Sequence, residues 1–454
     1  MRRLERLSNN FIKDNLGEHY EVLAEHYFLS ENYLKSAQYS RLASRKAEKT
    51  ASYNDAIAHS KKRIASLERL PQTEDIERQI IDARAILGLY ITGINHFFEI
   101  KEAIEPIISL AIKYNYKRRL CQISIALATY YLFVEENPTE AFEHLEKALK
   151  ISEEIRDYGI SLFYARYWFG VALGLACEFE RSAKYLQLAN DINWAAKSLW
   201  GIATTMSSLA FFSYYYNGKI NLQFNTTKEA LRLAEESGDI YSKSLCYVIH
   251  GVSCFAKGLL EEGERYLLKG LELCERINFL AWVTIAQFHL GEIYYEVGNF
   301  QTSKEHYKKG VWTFESGRVF PSWVGFGKAG VARAKVMNKE KDVNLKSLYI
   351  LSRDNKIKVN EGWIQRYIGE ILLNIDDQHI SEAEHWIQKT IESDQKNRMM
   401  FHLGKDYALY AEFFKRKGDR LKAQENLGKA IEILKECGAD GWVEKYKKEL
   451  AGIS

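Results

Sequence analysis

The sequence predicts an all-α protein, a right-handed α-solenoid superhelix built from antiparallel helix pairs. Two observations predict it. Small and large apolar residues recur at fixed positions about every 40 residues along most of the 454-residue chain, which is the length of a helix pair. The chain has only 4 prolines, and the strict alternation of apolar and polar residues that marks half-buried strands is nearly absent. Because a repeat array grows along one axis, this length does not have to be divided into globular domains.

One small residue marks the end of each predicted unit, and a large apolar residue usually stands three places before it. The small residues are Ala148, Ala189, Ala230, Gly270, Gly310, Thr390 and Ala430. The large residues are Leu145, Leu186, Leu267, Tyr307, Ile387 and Leu427, and Thr227 is the exception. Two helices approach to about 8–10 Å only where the contacting residues are small. The small series therefore predicts where the second helix of each pair crosses its neighbour.

Turn residues and apolar patterns give the predicted elements in order. A glycine recurs at the turn inside the unit, at Gly218, Gly258, Gly298 and Gly418. We predict helix pairs over 121–156, 160–193, 199–237, 241–276, 281–316, 320–354, 360–396 and 402–436. The pair over 320–354 is degenerate, and its assignment rests mainly on the gap that it fills. A closing helix over 438–451 has one polar face, as the cap of a repeat array requires.

The clearest unit carries a known motif. It has Leu290, Gly291, Tyr294, Gly298-Asn299, Ser303, Tyr307 and Gly310 in order. This order resembles the tetratricopeptide repeat (TPR), although the period is about 40 residues instead of 34 and the closing proline is missing. The longer form is similar to the repeats of bacterial signalling ATPases, of multidomain adenylate and guanylate cyclase-type proteins, and of maltose-activator-type regulators. The resemblance implies a helical array that binds proteins or peptides.

The N-terminal stretch has its own pattern, from Leu16 to Tyr27 and again from Tyr53 to His59. It resembles the junction at which the repeat array begins in multidomain bacterial ATPase or cyclase proteins. This resemblance implies that residues 1–70 are helices next to an ATPase module that precedes this chain. Pro71 and the polar run after it mark a break, and Pro106 is expected to kink or start a helix. The predicted organisation is 1–70, intermediate helical repeats over 71–120, about eight repeats over 121–436, and a capping helix over 437–454.

Composition narrows the partners and the compartment. The chain has 63 basic and 60 acidic residues and a net charge of +3, without a long basic run, which gives no indication of nucleic-acid binding. Its 6 cysteines form no CxxC pair and fall at apolar helix positions, a usage typical of a reducing cytoplasm. We see no signal peptide and no apolar run long enough for a membrane span. We therefore expect a cytoplasmic protein that binds neither membrane nor nucleic acid.

No catalytic or cofactor motif stands out. Residues 325–330 spell GxGxxG, but they fall inside a helical unit without a preceding strand, so close helix packing is the better interpretation. The 11 histidines form neither HExxH nor a cluster with cysteine or aspartate. No phosphate-binding loop and no nucleophile elbow is present. We expect no cofactor, no metal and no enzymatic activity.

The remaining functional candidate is the surface of the first helices. In the TPR family these helices line a concave groove that takes a ligand segment. The family register implies that ten residues face this groove: Tyr164, Tyr167, Phe212, Tyr215, Phe255, Phe288, Glu292, Tyr295, Trp363 and Arg366. Aromatic and arginine side chains are the usual hot spots of interfaces, and an aromatic groove favours an apolar or amphipathic segment. The alternative is that the longer repeat buries several of these side chains between helices.

Three functional hypotheses follow. The first is a scaffold or sensor module that holds a protein or peptide, as the regulatory C-terminal part of a bacterial signal-transduction ATPase or cyclase whose own module could be the partner. The second is a free-standing adaptor or peptide-sensing transcriptional regulator. The third, a remote alternative, is an enzyme with its site in the degenerate segment 318–360. A groove filled by the chain's own C-terminal helix would indicate autoinhibition, and an open aromatic groove would indicate peptide capture.

Overall fold

A computed structural model describes residues 16–50, 52–156, 159–340 and 342–453. Within these ranges every regular element is helical, and no strand occurs. The predicted fold class, an all-α solenoid of TPR-like antiparallel helix pairs, is confirmed. We number the α-helices α1 to α23 in chain order.

The helices have the following bounds. The N-terminal set is α1 (Tyr20–Leu29), α2 (Tyr33–Lys49), α3 (Tyr53–Leu67), α4 (Glu74–Gly93), α5 (Ile100–Ile104), α6 (Ile108–Lys113), α7 (Lys117–Phe133) and α8 (Pro138–Glu154). The middle set is α9 (Ile160–Leu175), α10 (Phe179–Ala195), α11 (Leu199–Leu209), α12 (Ile220–Ser237), α13 (Ile240–Lys257), α14 (Leu260–Arg276), α15 (Leu280–Glu296) and α16 (Phe300–Gly317). The last set is α17 (Pro321–Met337), α18 (Leu345–Asp354), α19 (Lys358–Ile375), α20 (Ile380–Lys396), α21 (Met400–Arg416), α22 (Arg420–Cys437) and α23 (Asp440–Ala451).

The chain divides into two compact units. Unit 1 consists of residues 1–130 and 146–157, and unit 2 consists of residues 131–145 and 158–454. In unit 1, Ala47, Ala56 and Tyr90 form one buried cluster, and the Tyr90 hydroxyl donates to Glu48 at 2.8 Å. Pro106 lies in a short 3₁₀ turn between α5 and α6, so its expected interruption of the helix is confirmed.

Unit 2 carries the regular pairs. We call α9, α11, α13, α15, α17, α19, α21 and α23 the first helices, and the helices that alternate with them the second helices. The predicted pairs agree with these bounds to within a few residues. The degenerate pair is the exception in length, since α18 has only 10 residues where the other second helices of unit 2 have 17 or 18.

Steric fit between the two helices of a pair explains the repeat. A Cβ added to Gly251 of α13 would lie 2.7 Å from Leu267 Cγ of α14, and one added to Gly291 of α15 would lie 2.8 Å from the Tyr307 ring of α16. All members of the predicted small and large series are buried. A glycine on the first helix therefore receives the large residue of the second helix, as the sequence pattern predicts.

Turns and caps set the ends of the helices. Gly218, Gly258, Gly298 and Gly418, the predicted turn glycines, all have positive φ, from 75° to 82°. This conformation is strained for residues with a side chain, so glycine ends the first helix cleanly. Several second helices then begin at an N-cap residue. Asn299 and Asp419, for example, accept from the backbone N–H of Thr302 and Lys422 at 3.2 and 3.1 Å.

One first helix departs from α geometry. After α11 the chain continues as a π-helical segment over Ala210–Tyr215. The wider turn changes the direction of the aromatic side chains that follow, and Phe211, Tyr215 and Tyr216 are all buried. Such π segments are uncommon and concentrate at functional sites.

Candidate partner-binding site on the first helices of unit 2

The ten predicted groove residues are mostly interior. Tyr164 and Phe212 are partly exposed, whereas Tyr167, Tyr215, Phe255, Phe288, Glu292, Tyr295, Trp363 and Arg366 are at most 9% exposed. In this conformation the eight buried side chains face other protein groups instead of an open groove, because the first helices of unit 2 pack on one another. Five of the ten (Tyr215, Glu292, Tyr295, Trp363 and Arg366) belong to the interior clusters described next, and Phe255 contacts the C-terminal helix. Their role in binding a partner stays a prediction.

The other four (Tyr164, Tyr167, Phe212 and Phe288) are not members of those clusters, although the Phe288 ring lies 5.9 Å from the Tyr307 ring. Phe288 packs between helix pairs, where a Cβ added to Gly310 or Gly327 would lie 2.5 or 2.6 Å from its ring. Tyr167 hydrogen-bonds to Ser208 at 2.8 Å, and the backbone of Phe212 lies against Gly174. Glycines of the 325–330 motif serve the same packing, because Gly327 meets Phe288 and Gly330 meets the Tyr307 ring. The interpretation of that motif as a helix contact is confirmed.

Four aromatic rings from four elements form a closed circuit, which we call the ring cluster. Its members are Tyr215 of the π segment, His289 of α15, Trp363 of α19 and His402 of α21. The ring centroids follow one another at 6.0, 6.1, 4.5 and 5.7 Å around the circuit. All four side chains are buried. The π segment thus places Tyr215 between two histidines that come from different repeats.

Hydrogen bonds fix the tautomers in the ring cluster. Burial lowers the pKa of His289 to about 4, and its Nδ1 lies 2.9 Å from the Ile285 carbonyl, so Nδ1 carries the proton and Nε2 is an acceptor. Burial and the charge of Arg366 hold the pKa of His402 well below its usual value, and Arg366 approaches its Nδ1 at 3.4 Å, so Nε2 carries the proton. Four polar atoms of the cluster have no partner among the described residues: Tyr215 Oη, His289 Nε2, Trp363 Nε1 and His402 Nε2.

A second cluster, the ionic network, centres on Arg333 of α17. Its guanidinium donates to Glu292 of α15 at 2.6 Å and to Glu370 of α19 at 3.2 Å. The same group lies between the rings of Tyr295 and Tyr367, 3.6 and 3.9 Å from their centroids. Burial alone would raise the pKa of Glu292, but the positive charges of Arg333 and Lys405 outweigh burial and keep the pKa low. The carboxylate also accepts from the hydroxyls of Tyr307 and Tyr367.

A third buried cluster centres on Arg366. It lies 3.3 Å from Asp406 of α21, and both side chains are at most 4% exposed. Burial raises the pKa of Asp406, and burial together with the Asp406 charge raises that of Asp394 of α20 well above its usual value. Two neighbouring carboxyls in a buried site do not both carry a negative charge, so Asp394 is the protonated member of the pair.

The C-terminal helix α23 rests on the ends of other first helices. Trp442 Nε1 donates to the Phe255 carbonyl of α13 at 2.9 Å, and its ring packs on the Phe255 ring with centroids 5.5 Å apart. Lys445 lies 2.8 Å from Glu296 of α15, and Lys405 of α21 lies 2.6 Å from the same carboxylate. We call the surface that α23 covers the docking face. Its members are Phe255, Lys257, Gly258, Glu296 and Lys405.

Sequence reasoning missed most of these partners. Arg333, Glu370, Asp394, Lys405 and Asp406 read as ordinary polar helix residues. The spacing was a signal for two contacts, because Glu292 to Arg333 and Arg366 to Asp406 are 41 and 40 positions, about one repeat. One signal was available for Trp442, since a tryptophan stands out on a helix whose other residues are mainly charged. Contacts such as Trp442 to Phe255 and Lys405 to Glu296 join helices that are two or more repeats apart, which a single period cannot indicate.

The described residues also bear on metal binding and on membrane spanning. In that part of the chain, no group of three or more His, Cys, Asp and Glu side chains could hold a metal ion. No described helix combines the length and the low charge that crossing a bilayer requires.

By sequence, neither a protein-family model nor a curated protein matches the chain. By structure, the chain is similar to a Rap protein in complex with competence and sporulation factor, with a TM-score of 0.54 and 12% identity over 92% of this chain and 100% of that chain. It is also similar to the apo form of the quorum sensor NprR from B. thuringiensis, with a TM-score of 0.37 and 13% identity over 82% of this chain and 98% of that one.

A third similar structure is a signal transduction ATPase with numerous domains and a tetratricopeptide repeat sensor, from Pyrococcus horikoshii. Its TM-score is 0.33, with 15% identity over 87% of this chain and 55% of that one. At these identities a structural similarity shows the fold alone. The Rap comparison, with the TM-score above 0.5, shows that this chain has the fold of a TPR-like helical repeat array.

Proposed function

We propose that the chain is a non-catalytic sensor that binds a protein or peptide segment on the first helices of unit 2. One observation carries the proposal, the concentration of buried ionisable and aromatic side chains on these helices. Buried ion pairs contribute little to stability compared with apolar packing of the same volume, because removing the charges from water is costly. A fold that needed only stability would have little use for Glu292, Arg333, Arg366 and Asp406 in this interior.

The chemistry of this interior suits recognition. It combines aromatic rings, guanidinium groups and carboxylates, which are the residue types that dominate interface energetics. The ring cluster adds polar atoms that have no partner among the described residues. A similar fold, the Rap protein, was determined with competence and sporulation factor bound. These features together support a protein or peptide as the ligand class.

Two settings remain for this sensor. One is the regulatory arm of a signal-transduction ATPase or cyclase, which the resemblance of the N-terminal stretch implies. The other is a peptide-sensing regulator that acts by itself, and one observation favours it: the structural similarity extends over the whole of the Rap chain. Affinity capture of the endogenous protein with intact-mass analysis separates them, because an ATPase region upstream of Met1 would establish the first setting. A mass equal to that of these 454 residues with one stoichiometric companion would establish the second.

The binding proposal is tested with peptides displayed on phage and selected on the purified full chain. Selected peptides are then titrated into the parent, Glu370→Gln and Glu432→Gln chains. Glu370 belongs to the ionic network, whereas Glu432 is an exposed residue of the second helix α22 and gives the matched control. We expect Glu370→Gln to weaken binding about tenfold and Glu432→Gln to leave it unchanged, since a hydrogen bond to a charged group contributes about 1.5–3 kcal/mol. Equal binding by both variants, or no enriched peptide, contradicts the site.

The absence of catalysis is part of the proposal and has its own test. The purified chain is titrated with ATP and GTP and followed by calorimetry. We expect no binding at micromolar nucleotide. Tight binding would instead favour the enzyme hypothesis and direct attention to 318–360.

A further inference from the structure

We propose that α23 can leave the docking face and that a partner helix then binds there. The partner is an amphipathic helix with a tryptophan that follows a small residue and precedes a lysine by three positions. The inference rests on the proposed function, because it assigns the partner chemistry and the regulation of part of the same site. α23 would then be an internal competitor of the partner.

The contacts of α23 are those of a helical ligand. Only Trp442, Val443 and Tyr446 of its side chains are buried, on one stripe, while Glu444, Lys447, Lys448 and Glu449 are exposed. The Trp442 ring is 1% exposed and has the Lys405 ammonium 3.8 Å from its centroid. One aromatic anchor and a short apolar stripe define the helix-in-groove mode of recognition.

The docking face keeps its own polar groups paired when α23 leaves. Glu296 retains Lys405, which binds one carboxylate oxygen while Lys445 binds the other. The Phe255 carbonyl also accepts from the Gly258 N–H at 2.9 Å, so it keeps one hydrogen bond when the Trp442 N–H leaves. Undocking therefore avoids the large cost of stranding a buried charge or carbonyl. A permanent core contact has no need of this duplication.

Close approach and charge restrict what can replace α23. A Cβ added to Gly441 would lie 2.8 Å from the Gly258 carbonyl oxygen, so the residue before the tryptophan must be glycine or similarly small. Lys257 binds Asp440 and lies 2.7 Å from the Gly438 carbonyl, which favours an acidic residue at the start of the incoming helix. Gly438 joins α22 to α23 and has a φ of 78°. A glycine at this junction allows the chain to change direction there.

The test uses the full chain and a fluorescent peptide of its own residues 438–453. In the Lys445→Glu variant the tethered helix is repelled by Glu296, while the peptide keeps its lysine. Lys448→Glu is the matched control, because Lys448 is exposed on the same helix and makes the same change of charge. Hydrogen exchange of α23 against α22 measures whether the tethered helix has opened. Circular dichroism of each variant verifies that the rest of the chain is folded.

We expect the peptide to bind the Lys445→Glu chain at least tenfold more tightly than the parent or the Lys448→Glu chain. A peptide with Trp442→Ala should lose about tenfold or more of that binding. The inference is overturned if α23 exchanges as slowly as α22 in the Lys445→Glu chain, or if α23 opens and the peptide does not bind. Neither result bears on the proposed function, because that function is tested separately by phage-selected peptides whose binding depends on Glu370. Conversely, if the 438–453 peptide binds the Lys445→Glu chain but phage display selects no peptide, the exchange of α23 is supported and the proposed function is contradicted.

Discussion

His289 shows how one buried side chain makes stability depend on pH. Its pKa is about 4 in the folded chain because burial disfavours the charged form, against about 6.5 in an unfolded chain. Between these values the unfolded state binds more protons, so the histidine's contribution is fully present above pH 6.5 and is lost as the pH falls towards 4. His250 is buried and His306 is partly buried, and burial lowers the pKa of each to about 4, so both add to the same slope.

We predict that His289→Gln removes part of this acid sensitivity. Urea unfolding at pH 7.5 and 4.5 should show the parent losing about 2 kcal/mol more free energy of unfolding over this range than the variant. The exposed His26 gives the control, since His26→Gln should keep the parental slope. An unchanged slope for His289→Gln would mean that this imidazole is protonated in the folded chain.

Arg333 is the residue on which the ionic network depends. We predict that Arg333→Met lowers the free energy of unfolding by about 3–5 kcal/mol, because it leaves the Glu292 carboxylate buried without its cation. Adding Glu292→Gln to this variant should restore a large part of the loss. Arg232→Met removes an exposed ion pair with Glu229 and should have a much smaller effect, because solvent screens that pair. Denaturant unfolding of the four chains measures these effects, and equal losses for Arg333→Met and Arg232→Met would contradict the burial of the network.

At the scale of the helix pair, small residues set how closely two helices pack. We predict that Gly251→Ala destabilises the chain by about 1–3 kcal/mol, because its Cβ would lie 2.9 Å from the Leu267 backbone N, which cannot move aside. Gly428→Ala should stabilise the chain by about 0.5–1 kcal/mol, since it lies inside α22 with nothing within 4 Å of the added Cβ. Thermal unfolding of both variants decides the matter. A stable Gly251→Ala chain would show that the α13–α14 contact is looser than described.

The first helices differ from the second helices in what they bury. Second helices contribute the large apolar residues of the repeat and bury a few charged groups such as Asp394, whereas first helices bury the ion-paired groups Glu292, Arg333 and Arg366. Those groups contact first helices of other pairs, so each first helix has a partner beyond its own repeat. This double contact explains why the first helices carry the candidate site.

At the scale of the whole chain, burial controls the chemistry of the cysteines. Cys121, Cys246, Cys254, Cys274 and Cys437 are buried, and Cys177 is partly exposed. Burial raises the pKa of Cys246, Cys254 and Cys274 to about 12, so their reactive thiolate forms are scarce at neutral pH.

We predict that a thiol reagent labels Cys246, Cys254 and Cys274 only as the chain unfolds. Labelling at increasing urea, followed by mass spectrometry of the peptides, should give midpoints that coincide with the loss of helical circular dichroism. Labelling of the unfolded chain provides the control for reagent access. Rapid labelling of these three thiols without urea would show that unit 2 opens locally far more often than its packing implies.

Much of the fold follows from the sequence for local reasons. Gly298 predicts a turn because only a residue without a side chain adopts its φ easily, and Gly291 predicts a helix crossing because Tyr307 must fit against it. Such signals act within one repeat of about 40 residues, and they placed the helix pairs to within a few residues. The degenerate segment after Val319 lacks them, and there the short α18 was not foreseen.

The sequence by itself determined the helices, their pairing and the residues at each crossing, because these depend on contacts within a repeat. Only the tertiary structure decided what the predicted groove residues face. Tyr295 reaches Glu370 of another pair, and Trp442 reaches Phe255 187 positions away. Contacts of this range depend on how successive repeats stack, which the period of about 40 residues does not encode. For that physical reason the interior network and the docking of α23 could be seen only in the folded chain.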